Sequence, residues 1–153
     1  MQPQPTWYGK KYPSIEDMER YAWDLGAVVM PSPLDFATFT PSLYPGMYPV
    51  LGIPAIEGPL EHIWSLAHEI GHLVKHTGAA GELRYSKNEA QADNWAACAL
   101  IPEARIIMHA NACEDSMIAA ISAHYQDLPL IDCPERRLAA YIARIRLKRL
   151  EAA

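Results

Sequence analysis

The chain has little of what would put it in a membrane, in an oxidising compartment or on nucleic acid. No apolar run approaches the roughly 20 residues that a spanning helix needs, and Gln2-Pro3-Gln4-Pro5-Thr6 is not an apolar signal segment. Cysteine is scarce: Cys98, Cys113 and Cys133 are the whole complement, with no Cys-x-x-Cys spacing. That argues against a disulfide framework and a thiolate zinc cage, and it fits a reducing cytoplasm. Cations are outnumbered, with 13 Lys and Arg against 18 Asp and Glu and a net charge of −5, which argues against general nucleic-acid binding. Internal repeats and low-complexity tracts are missing too. What is left is an ordinary globular composition, 50% apolar and 20% charged over 153 residues. The expectation is one cytoplasmic domain spanning residues 1–153, long enough for a real core, with no membrane and no direct nucleic-acid partner.

Along the chain, residues 1–13 read as an irregular arm. Ser14 is placed to cap a helix, with Asp17 at the reciprocal position of a variant capping box. Ile15, Met18, Tyr21, Ala22 and Leu25 make the apolar stripe of that helix, and Gly26 ends it. Ala27-Val28-Val29-Met30 reads as a short buried strand. Residues 31–49 carry Pro31, Pro33, Pro41, Pro45 and Pro49, so they are expected to form a loop or a set of turns. A strand is expected within residues 48–57, interrupted by Gly52 and Pro54. Helices are expected over residues 60–76, 88–101, 114–125 and 134–151, with Pro102 opening a further element. The fold class is α+β: a small sheet of about three strands against a mainly helical body. The last helix carries Arg136, Arg137, Arg144, Arg146, Lys148 and Arg149. These read as a solvated face whose cations suit the helix C-terminus, with a docking patch for an acidic partner or for nucleic acid as the alternative. Leu138, Tyr141, Ile142, Ile145 and Leu150 read as its buried side.

The most informative string is His68-Glu69-Ile70-Gly71-His72, inside the expected helix of residues 60–76. Histidines four apart on a helix project from one face, one turn above the other, and can grip one zinc ion. The glutamate between them is then placed to act as general base toward a water. Such a string also occurs on helices that bind nothing, so its neighbours matter. Gly71 stands mid-helix, where glycine costs about 1 kcal/mol against alanine, which suggests that something packs closely there. Leu66, Ala67, Ile70, Leu73 and Val74 supply an apolar face.

A catalytic zinc usually has three protein ligands and one open position. Glu89 and Asp93 are four apart on the next helix. Glu89 can complete a His-His-Glu site, and Asp93 can accept a hydrogen bond from the free ring nitrogen of His68 or His72. An acidic first turn with no metal is the plain alternative for Glu89. The metzincin continuation fails, because Lys75 and Gly78 stand where a glycine and a histidine belong. His76 is roughly 80° around the helix from His68 and reads as a rim or surface residue. His62, His109 and His124 read as ordinary, partly exposed histidines.

With both segments in hand, the chain resembles the ImmA/IrrE family of small zinc metallopeptidases. Ser65-Leu66-Ala67-His68-Glu69-Ile70-Gly71-His72-Leu73 carries the resemblance, together with the run from Glu89-Ala90-Gln91-Ala92-Asp93-Asn94-Trp95 to Leu100-Ile101-Pro102. The resemblance implies a zincin-like body, with His68, His72 and Glu89 as zinc ligands and Glu69 as catalytic base. It also implies a protein substrate such as a helix-turn-helix repressor, released by cleavage. The family often has a second glutamate where Gln91 stands, and phenylalanine where Trp95 stands. An edge strand beside the zinc helix binds substrate in gluzincin-like folds, and residues 50–56 are the expected edge. Tyr85, His76, Arg105 and His109 are the candidate oxyanion donors. Two other functions fit the sequence: a zinc-containing module that docks a protein without cutting it, and a structural metal site. A structural site should be closed by four protein ligands, and the sequence offers three.

Overall fold

The computed structural model describes residues 4–42, 44–55, 58–75, 85–103 and 112–151, with only the backbone described at residues 85 and 86. Helix α1 spans Ile15–Asp24. At its start the Ser14 hydroxyl accepts from the Asp17 N–H at 3.1 Å, and the Asp17 carboxylate accepts from the Ser14 N–H at 2.9 Å. This is the expected reciprocal box, which satisfies two donors that the first turn leaves open. At its end Gly26 takes a φ of +85°. The Gly26 N–H donates to the Trp23 carbonyl and the Ala27 N–H to the Ala22 carbonyl, each at 2.9 Å. That pair of bonds is a Schellman closure, and its left-handed residue is one that glycine adopts at little cost.

Three strands follow: β1 at Val28–Ser32, β2 at Thr38–Thr40 and β3 at Val50–Pro54. They form one mixed sheet in the order β1-β3-β2, with β3 parallel to β1 and antiparallel to β2. This corrects three expectations. First, β3 is the central strand over Val50–Gly52, leaving only Ile53 and Pro54 with an open side, and residue 56 lies outside the described residues. Pro54 is accommodated because the pairing with β2 ends at Gly52, leaving a neighbour on one side only at that position. Second, the proline-rich segment contains a real strand, β2, and β2 is an edge. Third, β1 is an edge as well and is only half-buried, with Met30 49% exposed. Gly52 has a steric cause. A Cβ there would lie 2.4 Å from the Thr38 hydroxyl oxygen, so the β2–β3 contact requires its absence.

Helix α2 spans Pro59–Lys75, α3 spans Tyr85–Leu100, α4 spans Glu114–His124 and α5 spans Pro134–Glu151. Pro59 occupies the first turn of α2, where its missing N–H costs nothing. The Gln126 side chain then accepts from the Leu60 N–H at 3.1 Å. Helix α3 starts one turn before the expected residue 88, because Ser86, Lys87 and Asn88 contain no breaker and propagation is cheap once a helix exists. The element opened by Pro102 runs into residues outside those described.

The core is continuous across the sheet and helices. Leu51 and Ile53 of β3 meet Leu60, Ile63, Leu66, Ala67, Ile70 and Leu73 of α2, together with Met18 and Tyr21 of α1, Trp95 of α3 and Ile142 of α5. Trp95 finds room by stacking on Tyr21 at 6.0 Å and lying against Tyr8 at 5.6 Å. Its indole N–H has no partner among the described residues. Helix α5 is less solvated than its charge suggests. Arg146 is buried and donates to the Ile101 carbonyl at 3.0 Å, closing the end of α3 beside Tyr125, whose hydroxyl donates to the Leu100 carbonyl at 2.7 Å. Arg137 pairs with Asp132 through two bonds of 2.9 Å, and Arg136 donates to the Pro129 carbonyl. No helix among the described residues is long and apolar enough to cross a membrane.

Candidate metal centre

Helices α2 and α3 approach closely through backbone at Gly71. A Cβ on Gly71 would stand 2.7 Å from the Ala92 carbonyl oxygen and 2.9 Å from the Ala92 Cα. The mid-helix glycine is therefore the close approach that the sequence suggested. Ala92 lies between Glu89 and Asp93 in the chain, so this contact carries both acids up to the histidines of α2.

The result is a tight cluster. His68 Nε2 lies 2.8 Å from Glu89 Oε2, His72 Nε2 lies 3.0 Å from Glu89 Oε1, and the two Nε2 atoms are 3.2 Å apart. One donor atom from each of His68, His72 and Glu89 falls within 4.8 Å of the others. Two imidazole nitrogens do not face each other at that distance without a proton or a cation to share. Tetrahedral zinc, with bonds near 2.0–2.1 Å, sets its ligand atoms about 3.3–3.4 Å apart. The His–His separation is near that value and the two His–Glu separations, at 2.8 and 3.0 Å, are shorter, so the donor set can hold a metal ion once the carboxylate draws back by a few tenths of an ångström. On its far side His68 Nδ1 meets Asp93 Oδ1 at 2.7 Å. A carboxylate in that place keeps the proton on Nδ1 and leaves the Nε2 lone pair facing the cluster. Burial works to lower the His68 pKa, but the Asp93 bond and the charges of Glu69, Asp93 and Glu89 outweigh it and raise it. The same field would favour a metal cation.

Glu69 is the other feature. It is 5% exposed, in a row of otherwise apolar α2 side chains. Burial, with the Glu89 charge adding to it against the pull of His68, pushes its pKa up to about 7. A carboxyl poised near neutral pH can both take and give a proton. Gln91 is two residues from Glu89, about 200° around α3. It lines a cavity of about 480 Å³ with Gln4, Tyr8, Lys75 and Trp95 that none of the clustered residues lines. The glutamine at this position therefore leaves the cluster intact.

Not every expected site residue can be placed. His76, Arg105 and His109 lie outside the described residues, and so does the side chain of Tyr85. His124 stacks on Tyr12 at 3.7 Å. Cys98, Cys113 and Cys133 are free thiols. Sequence reasoning missed three aromatic neighbours. Phe39 of β2 stacks on His72 with ring centroids 5.9 Å apart, and Trp64 lies 6.2 Å from His68. Tyr141 of α5 donates its hydroxyl to Asp93 Oδ2. Trp64 had a helical-spacing signal, one turn before His68. Phe39 and Tyr141 come from distant segments and had none.

No curated protein and no solved structure is significantly similar to the chain. The sequence profile of the IrrE N-terminal-like domain, Peptidase_M78, matches residues 23–125. That span takes in β1, the whole sheet, and both helices that supply the cluster. A peptidase family of this type, and a His-His-Glu group able to hold a metal, meet on the same residues, and the chain belongs to the IrrE N-terminal-like peptidase family.

Proposed function

We propose that the protein is a zinc-dependent endopeptidase that makes a restricted, regulatory cut in a protein partner. The observation that carries this is the pairing of the His68, His72 and Glu89 donor cluster with a buried carboxyl, Glu69, on the same helix. In this reading His68, His72 and Glu89 hold the ion, and Asp93 orients His68. Zinc, when bound, supplies Lewis acidity toward a carbonyl and makes water a competent nucleophile near neutral pH. Glu69 takes the proton of the attacking water and gives it to the leaving amine. Burial raises its pKa in the metal-free chain, and the charge of a bound cation would bring it back toward the carboxylate that accepts a proton.

Substrate backbone is expected to lie along β2. It is an edge of the sheet, and its Phe39 already rests on His72. An extended segment can add to such an edge through main-chain hydrogen bonds. Phe36, Tyr44 and Tyr48, which flank β2 in the chain, are 57%, 65% and 66% exposed. They offer an apolar grip on a protein chain rather than on a small molecule. A repressor-type transcription regulator encoded beside this protein is the proposed partner, and the cytoplasm the proposed compartment.

The test uses purified, zinc-loaded protein, a neighbouring repressor-like protein, and mass spectrometry of the products. Wild type should cut at one or a few bonds. Glu69→Gln should keep a full complement of zinc and lose about 10²–10⁴-fold in rate, the usual worth of a general base. Glu89→Ala should lose the zinc itself, read by elemental analysis. Undiminished cleavage by Glu69→Gln would remove Glu69 as base. Full zinc binding with no cleavage of any candidate partner would favour a docking module instead.

A further inference from the structure

Asp93 is held from both sides. One carboxylate oxygen meets His68 Nδ1 at 2.7 Å, and the other accepts from the Tyr141 hydroxyl. Tyr141 lies on α5, 48 residues further along the chain and beyond the segment that the family profile matches. Its ring packs edge-on against Trp64, at 6.0 Å and 89°, and Trp64 in turn neighbours His68. The ring is thus held by α2 and the hydroxyl by α3.

We propose that Tyr141 is a positioning residue of the metal centre, its hydroxyl fixing the carboxylate plane of Asp93 and through it the ring of His68. The proposal rests on the zinc reading given above. Aspartate χ2 is a broad, soft torsion. A carboxylate with one hydrogen bond can pivot about that bond, and the imidazole bonded to it can follow. A second donor on the other oxygen removes the pivot. The Nδ1 bond then holds a single tautomer and a single ring angle, as an oriented metal ligand requires. Burial, the bond to Asp93 and the charges of Asp93 and Glu89 raise the phenol pKa to about 12, so the hydroxyl remains a donor at neutral pH. Tyr141 is 44% exposed, so water can reach the vacated oxygen once the hydroxyl is gone. That limits the expected loss to a fraction of what removing Asp93 costs.

The experiment measures zinc affinity by competition with a chromophoric chelator. It compares wild type, Tyr141→Phe, Asp93→Ala and the double variant, with the melting temperature of each metal-free protein as a second readout. Phenylalanine keeps the ring on Trp64 and removes only the hydroxyl. Asp93→Ala should weaken zinc by about 10–100-fold, and Tyr141→Phe by about 3–10-fold. In the Asp93→Ala background Tyr141→Phe should cost nothing further, because its effect passes through that carboxylate. The metal-free melting temperature of Tyr141→Phe should fall by no more than the few degrees that losing one partly exposed hydrogen bond allows, and its zinc affinity should fall beyond that, which a merely structural tyrosine would not produce. Wild-type affinity in Tyr141→Phe, or the same loss with and without Asp93, would overturn the proposal while leaving the zinc reading in place. A wild-type protein that binds no zinc would overturn both.

Discussion

At the scale of single residues, Gly71 decides whether the cluster can assemble. Two effects oppose each other in Gly71→Ala. Helix propensity favours alanine by about 1 kcal/mol. Steric overlap opposes it, since the new Cβ would stand 2.7 Å from a carbonyl oxygen and 2.9 Å from a Cα of Ala92. Those are backbone atoms in the middle of α3 and cannot rotate away, so the two helices must part. Overpacking of that kind costs about 1–3 kcal/mol. We expect Gly71→Ala to lower the stability of the metal-free protein in urea and to weaken zinc binding as well, because α3 carries Glu89 and Asp93 outward with it. A stabilised variant would show that the helices have slack at this point. The glycine was legible in the sequence as an oddity in a good helix. What fills the space beside it was not, because nothing in residues 68–72 names Ala92 as the neighbour. Tyr141 was hidden for the same reason: helical phase put it on the buried side of α5, where the structure leaves it 44% exposed, and could not say which acid lay opposite.

At the scale of elements, the parts fixed by neighbours in the chain were the readable ones. The start of α1 is an example, and it gives a pH prediction. Burial works against the Asp17 charge, but the Ser14 N–H, Lys11 and the Ser14 hydroxyl outweigh it, so its pKa is lowered on folding. A carboxyl with a depressed folded pKa adds stability above its unfolded value, about 4. That contribution is lost as pH falls through the lower folded value. Asp17→Ala should therefore cost about 0.5–1 kcal/mol at pH 6, the worth of an exposed charged hydrogen bond, and the gap to wild type should shrink as the pH falls through the lowered folded value. A gap that stays constant through the whole acid titration of carboxylates would mean the carboxylate charge is not what the cap uses. The sheet was harder to read. β2 is three residues long and sits among prolines, and strand order depends on pairings between segments that no local pattern encodes. The prolines near β3 pointed to an edge. In fact Pro54 falls where β2 has already ended, so a central strand tolerates it.

At the scale of the whole molecule, the cluster joins two helices that packing and the His68–Asp93 hydrogen bond also hold together. His68 and His72 belong to α2 and Glu89 to α3. An ion bound by all three side chains is a cross-link that exists only in the folded state. Its binding energy must then appear as resistance to heat. At a free zinc concentration 100 times the dissociation constant the gain is about 2.7 kcal/mol. For a chain of this size that corresponds to about 5–11 °C in melting temperature. A chelator should remove the whole increment, and Glu89→Ala should be insensitive to either addition. Unfolding that takes no notice of zinc would show that the helices do not share an ion. The melting curve thus becomes an instrument. Run with zinc, cobalt, nickel or manganese in turn, it ranks the ions this cage prefers before any substrate has been found.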